Sequence, residues 1–183
     1  MKNENIKFLK LQAKHFPTIN DASREIINLS SILELPKGTE HFLSDVHGEY
    51  EAFSHIIRNA SGTIKNKIEE IFGSSLMKVE KKSLATLIYY PEEMIKKKKE
   101  QETELLDWYK INLYRLVEIC RASSSGYTRS KVRKALPSTF SYVLEELLNE
   151  RYIDRNRETY FDGIVKTIID IGKADEFIIT LAK

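Results

Sequence analysis

Over residues 61–183 the apolar side chains recur at intervals of three and four, with almost nothing to interrupt them. Leu106, Tyr109, Leu113, Leu116 and Cys120 step in this way, as do Phe140, Val143, Leu144, Leu147 and Leu148 after Pro137. Tyr160, Phe161, Ile164, Ile168 and Ile171 form a third such series, closed by Gly172. A residue that falls every third or fourth place lies on one face of a helix, so each series predicts a helix with one buried side. Pro137 suits a first helical turn, where its missing N–H costs nothing. The last segment, from Asp175 to Ala182, carries Phe177, Ile178, Ile179 and Leu181 and fits a helix or a strand. It stops without a cap or a polar tail, which leads us to expect an incomplete chain. With only 7 glycines and 4 prolines in 183 residues, no long flexible linker is expected. The expected class is mainly α.

The first 60 residues read differently. A helix is expected to about Lys14, broken at His15-Phe16-Pro17. Thr18 with Asp21 three residues on has the form of a capping box. Ile26, Leu29 and Leu33 keep helical spacing until Pro36 and Gly38. Thr39-Glu40-His41-Phe42-Leu43-Ser44 then lies between Gly38 and Gly48 and is the best strand candidate in the chain. Another helix is expected from about Glu49, with Phe53, Ile56 and Ile57 on its apolar side. This change of character divides the chain at residues 1–60 and 61–183.

Composition narrows the class of function. Hydrophobic residues make up 42% and charged residues 31%, the balance of a globular protein. Lys and Arg total 29 against 27 acids, a net charge of +2, so no nucleic-acid partner is expected. A single cysteine, Cys120, excludes an internal disulfide and suits a reducing compartment. No apolar run approaches the roughly 18 residues of a membrane span, and the first residues lack the apolar stretch of a signal peptide. A cytoplasmic chain without membrane attachment is the expectation.

The sharpest chemical signal is Phe42-Leu43-Ser44-Asp45-Val46-His47-Gly48. Residues two apart on a strand project to the same side, so Asp45 and His47 converge where the strand ends. A carboxylate beside an imidazole suits manganese, iron or zinc, and Gly48 allows a sharp turn into the next helix. The plainer alternative is a surface Asp near a hydrogen-bonded His. A metal site usually takes at least three protein ligands. The four histidines are His15, His41, His47 and His55, and none lies later in the chain. His55 is expected on the surface of its helix. Asp107, Asp154, Asp162, Asp170 and Asp175 stand in helical contexts without a turn-forming Gly. The site is half built.

A second cluster, from Ser123 to Lys134, joins a hydroxyl-rich turn to Arg129, Lys131, Arg133 and Lys134. Hydroxyls and cations at a helix start are what a phosphate needs. The alternative is an N-capped basic helix facing solvent. The run from Lys96 to Lys99, with acids on both sides, reads as a solvated face. Cys120 falls on an apolar face and reads as a small buried hydrophobe rather than a nucleophile. There is no glycine-rich phosphate loop and no Ser/His/Asp pattern, which argues against a nucleotide-dependent enzyme or a serine hydrolase. No catalytic residue is assigned within this chain.

The Asp-x-His-Gly element of Asp45, His47 and Gly48 resembles the first motif of the calcineurin-like metallophosphoesterases. Its context resembles one branch of them, the class III fructose-1,6-bisphosphatases of Firmicutes. Three further stretches carry the likeness: Asn59-Ala60-Ser61-Gly62, Leu87-Ile88-Tyr89-Tyr90-Pro91-Glu92-Glu93, and Tyr127-Thr128-Arg129-Ser130-Lys131-Val132-Arg133-Lys134-Ala135-Leu136-Pro137. The resemblance implies an α/β metallophosphoesterase fold that begins in residues 1–60, with one short strand near 39–44. It also implies a large helical insertion from about residue 61. The implied activity is manganese-dependent removal of the 1-phosphate of fructose 1,6-bisphosphate, giving fructose 6-phosphate in gluconeogenesis. Asp45 and His47 would be ligands of one Mn2+ in a two-metal site that binds phosphate oxygens and activates a water. Members of this branch are several times longer. Their Gly-Asp-x-x-Asp-Arg-Gly and Gly-Asn-His elements do not occur here, and the first would be expected shortly after residue 183.

The resemblance therefore implies the N-terminal portion of such a phosphatase, incompetent alone, whose partners are the sugar bisphosphate and the rest of the enzyme or another subunit. A homo-oligomer is also compatible. The rival expectation is a helical binding or regulatory module. It would hold a phosphorylated metabolite through Arg129, Lys131, Arg133 and Lys134, or dock on a complete phosphatase.

Overall fold

The computed structural model describes residues 2–35, 37, 40, 42–44, 47–59, 61–101, 104–149 and 155–183. They fall into two compact units, Met1–Gly38 and Thr39–Lys183.

The first unit holds α1 (Lys2–His15) and α2 (Ile19–Leu33). Thr18 caps α2 from an extended backbone, its Oγ1 accepting from the Asp21 N–H at 3.1 Å. The same hydroxyl donates to Asp21 Oδ2 at 2.7 Å, where a full capping box would return to the Thr18 backbone. That bond and the neighbouring Arg24 hold the Asp21 carboxyl below the usual carboxylate range. No residue of α2 is buried, and Ile26, Ile27, Leu29 and Leu33 are exposed. An apolar face at helical spacing is present here with nothing to cover it within its own unit.

The second unit begins with α3 (Tyr50–Asn59), followed by α4 (Thr63–Phe72), a 3-10 turn at Gly73–Ser75, α5 (Lys78–Tyr89) and α6 (Pro91–Glu100). Then come α7 (Leu105–Ser124), α8 (Arg129–Ala135), α9 (Ser141–Asn149), α10 (Arg155–Asp170) and α11 (Ala174–Ala182). The 20-residue α7 is the axis of the unit, and α4, α9, α10 and α11 pack on it. Helices α5 and α6 close the bundle against α4 and α11. The interior is lined by Ile68, Leu84, Leu113, Leu147, Val165 and Phe177, each 1% exposed or less. Among the described residues, every buried apolar side chain lies between Ile68 and Ile178.

The last segment resolves as a helix. Phe177 and Ile178 are fully buried, and the Phe140 ring meets Phe177 edge-on at 5.1 Å. Polar ties join the helices around this interior. Glu80 accepts from the Met77 N–H at 3.0 Å and from Arg115 at 2.7 Å, tying the start of α5 to α7 and holding the Glu80 carboxyl low. Lys99 of α6 and Tyr109 of α7 both donate to Asp175 of α11. Arg121 reaches the Leu147 carbonyl at 2.8 Å while its guanidinium sits 5.0 Å from the Phe161 ring centre.

Several expectations need correction. Leu106 and Ile171 are 67% and 65% exposed rather than part of a buried face. Both sit at helix ends, Leu106 one residue into α7 and Ile171 one beyond α10. Tyr160 is also exposed, while its neighbour Phe161 takes the buried place and Val117, Ile119 and Val165 complete the core. Pro137 precedes α9 by a turn instead of lying in its first turn, and the Phe140 N–H bonds back to the Pro137 carbonyl at 3.4 Å. The strand expected over residues 39–44 is not seen among the described residues: Glu40 and residues 42–44 are irregular, and Thr39 and His41 lie outside them. A strand is stabilised by a neighbouring strand's ladder, and no strand is present among the described residues. None of the described helices is long and apolar enough to cross a membrane.

Candidate functional site

The turn that should carry the metal leads directly into α3. His47 and Gly48 stand one after the other at positive φ, +47° and +74°. For glycine this is free of penalty, whereas an L-residue such as histidine rarely adopts it, so the turn holds His47 in a backbone state it would not choose alone. The Tyr50 N–H returns to the Gly48 carbonyl at 3.0 Å, and the Phe53 N–H to Glu49 at 2.9 Å, so the helix starts three residues after His47. His47 is exposed. Asp45, its expected partner, and Val46 lie outside the described residues. Among the described residues no three His, Cys, Asp or Glu side chains converge as metal ligands.

The other end of α3 is tied to the junction of α5 and α6. His55 Nδ1 is hydrogen-bonded to the Tyr90 hydroxyl, and the two rings stack at 6.0 Å with 15° between their planes. Asn59 Nδ2 donates to the same hydroxyl at 3.3 Å. Arg58 Nη1 donates to the Tyr89 carbonyl at 3.0 Å, and its guanidinium lies 5.6 Å from the Tyr90 ring centre. His55 is exposed, as the sequence suggested, but not idle. Two of the stretches that carried the family likeness, those containing Asn59 and Tyr90, thus meet in space. Periodicity gave no sign of this knot, because its members are separated by about thirty residues.

Beside the knot, Arg58, Ile64, Ile88, Tyr89, Ala182 and Lys183 line a cleft of about 350 Å³. Tyr89 is 7% exposed, and its hydroxyl is buried without a hydrogen-bond partner among the described residues. Burial raises its pKa above the ordinary phenol range.

The four cations of the basic cluster all belong to α8. Thr128 caps α8 by accepting from the Lys131 N–H at 3.3 Å. Lys131 lies over the Tyr127 ring at 4.7 Å, and Arg133 pairs with Glu145 of α9 at 3.5 Å. Arg129 and Lys134 are exposed. Arg129 and Arg133 are one turn apart, as Lys131 and Lys134 are, so the charges divide between two faces of a short helix. Cys120 is half-buried, its thiol donating to the Leu181 carbonyl at 3.4 Å, and burial pushes it up to about 11. A thiol so hard to ionise is a packing group rather than a nucleophile.

The geometry therefore defines a helical chain that presents one candidate metal-ligating turn at the head of α3 and anchors that helix at its tail. Residues 7–183 match the family model described as Firmicute fructose-1,6-bisphosphatase. The chain belongs to this family. It is 60% identical over 181 residues to fructose-1,6-bisphosphatase class 3 1 of Clostridium beijerinckii, covering 99% of this chain and 27% of that relative. It is 61% identical over 180 residues to a class 3 fructose-1,6-bisphosphatase of Clostridium acetobutylicum, and 58% identical over 179 to one of Clostridium botulinum; each alignment covers 98% of this chain and 27% of the relative. The chain thus spans about a quarter of the length of these curated relatives. No solved structure matches it.

Proposed function

We propose that this chain is the N-terminal part of a class III fructose-1,6-bisphosphatase that removes the 1-phosphate of fructose 1,6-bisphosphate in the cytoplasm. The observation that carries the reading is the 60% identity to a class 3 enzyme along 99% of the chain. In this reading residues 1–60 begin the metallophosphoesterase domain and residues 61–183 are its helical insertion. The segment 39–44 becomes a strand once the sheet it belongs to is assembled beside it. Asp45 and His47 hold one Mn2+ of a two-metal site. The donor types fit, a hard carboxylate and a borderline imidazole, and the described turn leaves His47 exposed for a ligand. Two donors do not complete a site, so the remaining ligands come from the rest of the enzyme and the chain alone does not turn over. Bound there, manganese would supply positive charge to the phosphate oxygens of the substrate.

The test is phosphate release from fructose 1,6-bisphosphate with manganese, for this chain alone and for a chimera in which it replaces the matching quarter of a class 3 relative. Activity in the chimera, absent from the chain alone and abolished by Asp45→Asn, is the expected result. A chimera without manganese-dependent release would end the reading.

One observation favours a second reading, a binding module: among the described residues, the buried apolar core runs from Ile68 to Ile178 and takes no buried residue from residues 1–60. Saturable binding of the sugar bisphosphate by the chain alone, with loss on Arg129→Ala and Lys134→Ala, would support it.

A further inference from the structure

The helical region begins and ends at one place. Ile64, in the first turn of α4, and Ala182 and Lys183, at the end of α11, line the same cleft, with Arg58 from the preceding helix beside them. Insertions are tolerated where the inserted segment's two ends lie together, because the host can then continue across them. The cleft itself is not finished. Ile64 and Ile88 give it apolar walls, and Tyr89, nine-tenths buried, belongs to its lining and carries a buried hydroxyl with no partner among the described residues. A buried hydroxyl left unpaired is costly, and native structures rarely keep one. Lys183 itself lines the cleft, and the relatives are about four times the length of this chain, so in the phosphatase reading the chain continues from the cleft.

From these observations we infer that the cleft between the end of α3 and the end of α11 is a docking groove for the segment that follows residue 183 in the longer class 3 enzyme. Resting on the phosphatase reading above, the inference adds a route for the chain. The returning segment packs on Ile64 and Ile88, gives a hydrogen-bond partner to the Tyr89 hydroxyl, and runs beside Arg58. Because Arg58 belongs to the helix headed by His47, the groove sends the returning chain back along the element that bears the candidate metal turn.

Thiol labelling of Glu92→Cys, at the rim of the groove, tests this. The host carries Cys120→Ala, and Lys110→Cys on α7 serves as a second site away from the groove. Each variant is compared in the 183-residue chain and in the chimera described above. The expected result is that Cys at 92 reacts at least tenfold more slowly with a maleimide in the chimera while Cys at 110 does not. Equal rates at 92, or equal protection at both positions, would overturn the inference. Should Glu92→Cys fail to fold, Tyr89→Phe carries the test. Loss of an unpaired hydroxyl leaves the melting midpoint of the short chain unchanged or higher, whereas loss of a paired one lowers that of the chimera by a few degrees. The same shift in both chains would refute the groove. Labelling is read without turnover: an active chimera with an open groove would refute this inference alone, and an inactive one with a protected groove would refute only the phosphatase reading.

Discussion

Arg58 Nη1 donates to the carbonyl oxygen of Tyr89 at 3.0 Å, joining residues 31 apart in the chain. The bond uses a carbonyl at the very end of α5, where helix carbonyls lack partners of their own. Together with His55 and Asn59 on the Tyr90 hydroxyl, it is how α3, which contributes no buried residue, is held to the helical region.

Removing that hydroxyl should therefore loosen α3 without disturbing the core. Tyr90→Phe keeps the ring that stacks on His55 and faces Arg58, and loses only the hydrogen bonds. We expect a cost of about 1 kcal/mol, seen as faster hydrogen exchange at amides 53–59 with exchange at Leu113 and Leu116 unchanged. Faster exchange throughout α7 would show that the knot supports the whole bundle instead.

Burial separates the two ends of the chain in stability. Phe177→Ala leaves a cavity in the centre of the helical region and should cost about 3–5 kcal/mol in denaturant unfolding. Leu29→Ala, on the uncovered face of α2, should stay within about 0.5 kcal/mol in this chain. In a chimera completed with the rest of a class 3 enzyme, a larger cost at Leu29 would show that this face has found its cover.

The closed core also predicts autonomy. A fragment of residues 61–183 should keep one cooperative thermal transition by circular dichroism, because every buried apolar side chain among the described residues lies within it. A fragment of residues 1–60 should show none. A non-cooperative melt of the longer fragment would mean that α3 contributes to the bundle more than its exposure implies.

Cys120 gives a pH signature. Burial raises its folded pKa to about 11 from an ordinary value of 9.0. The unfolded chain therefore releases this proton first as pH rises. The thiol's contribution to stability is complete below about pH 9 and is lost between there and about pH 11. In stability measured against pH, Cys120→Ala should abolish part of the decline across that window. At pH 8 the thiol should react far more slowly with a disulfide reagent in the folded chain than in denaturant.

What the sequence determined by itself was local. Spacings of three and four mark helices because the helix repeats every 3.6 residues, and that period alone identified α7, α9 and α10. The Asp45, His47 and Gly48 element, with the stretches around Asn59, Tyr90 and Arg129, was enough to recognise the family. Tertiary structure decided which apolar positions are used. Phe177 and Ile178 are central while Leu106 and Ile171 face outward, because a neighbouring helix covers one pair and not the other, and periodicity carries no record of neighbours. It also decided that Arg58, His55 and Asn59 meet Tyr89 and Tyr90, a contact between groups too far apart in sequence for any local pattern to show. The segment 39–44 is the limiting case. Its residues favour a strand, but a strand's hydrogen bonds are all made to another strand, so in the described residues of this chain the preference has nothing to pair with.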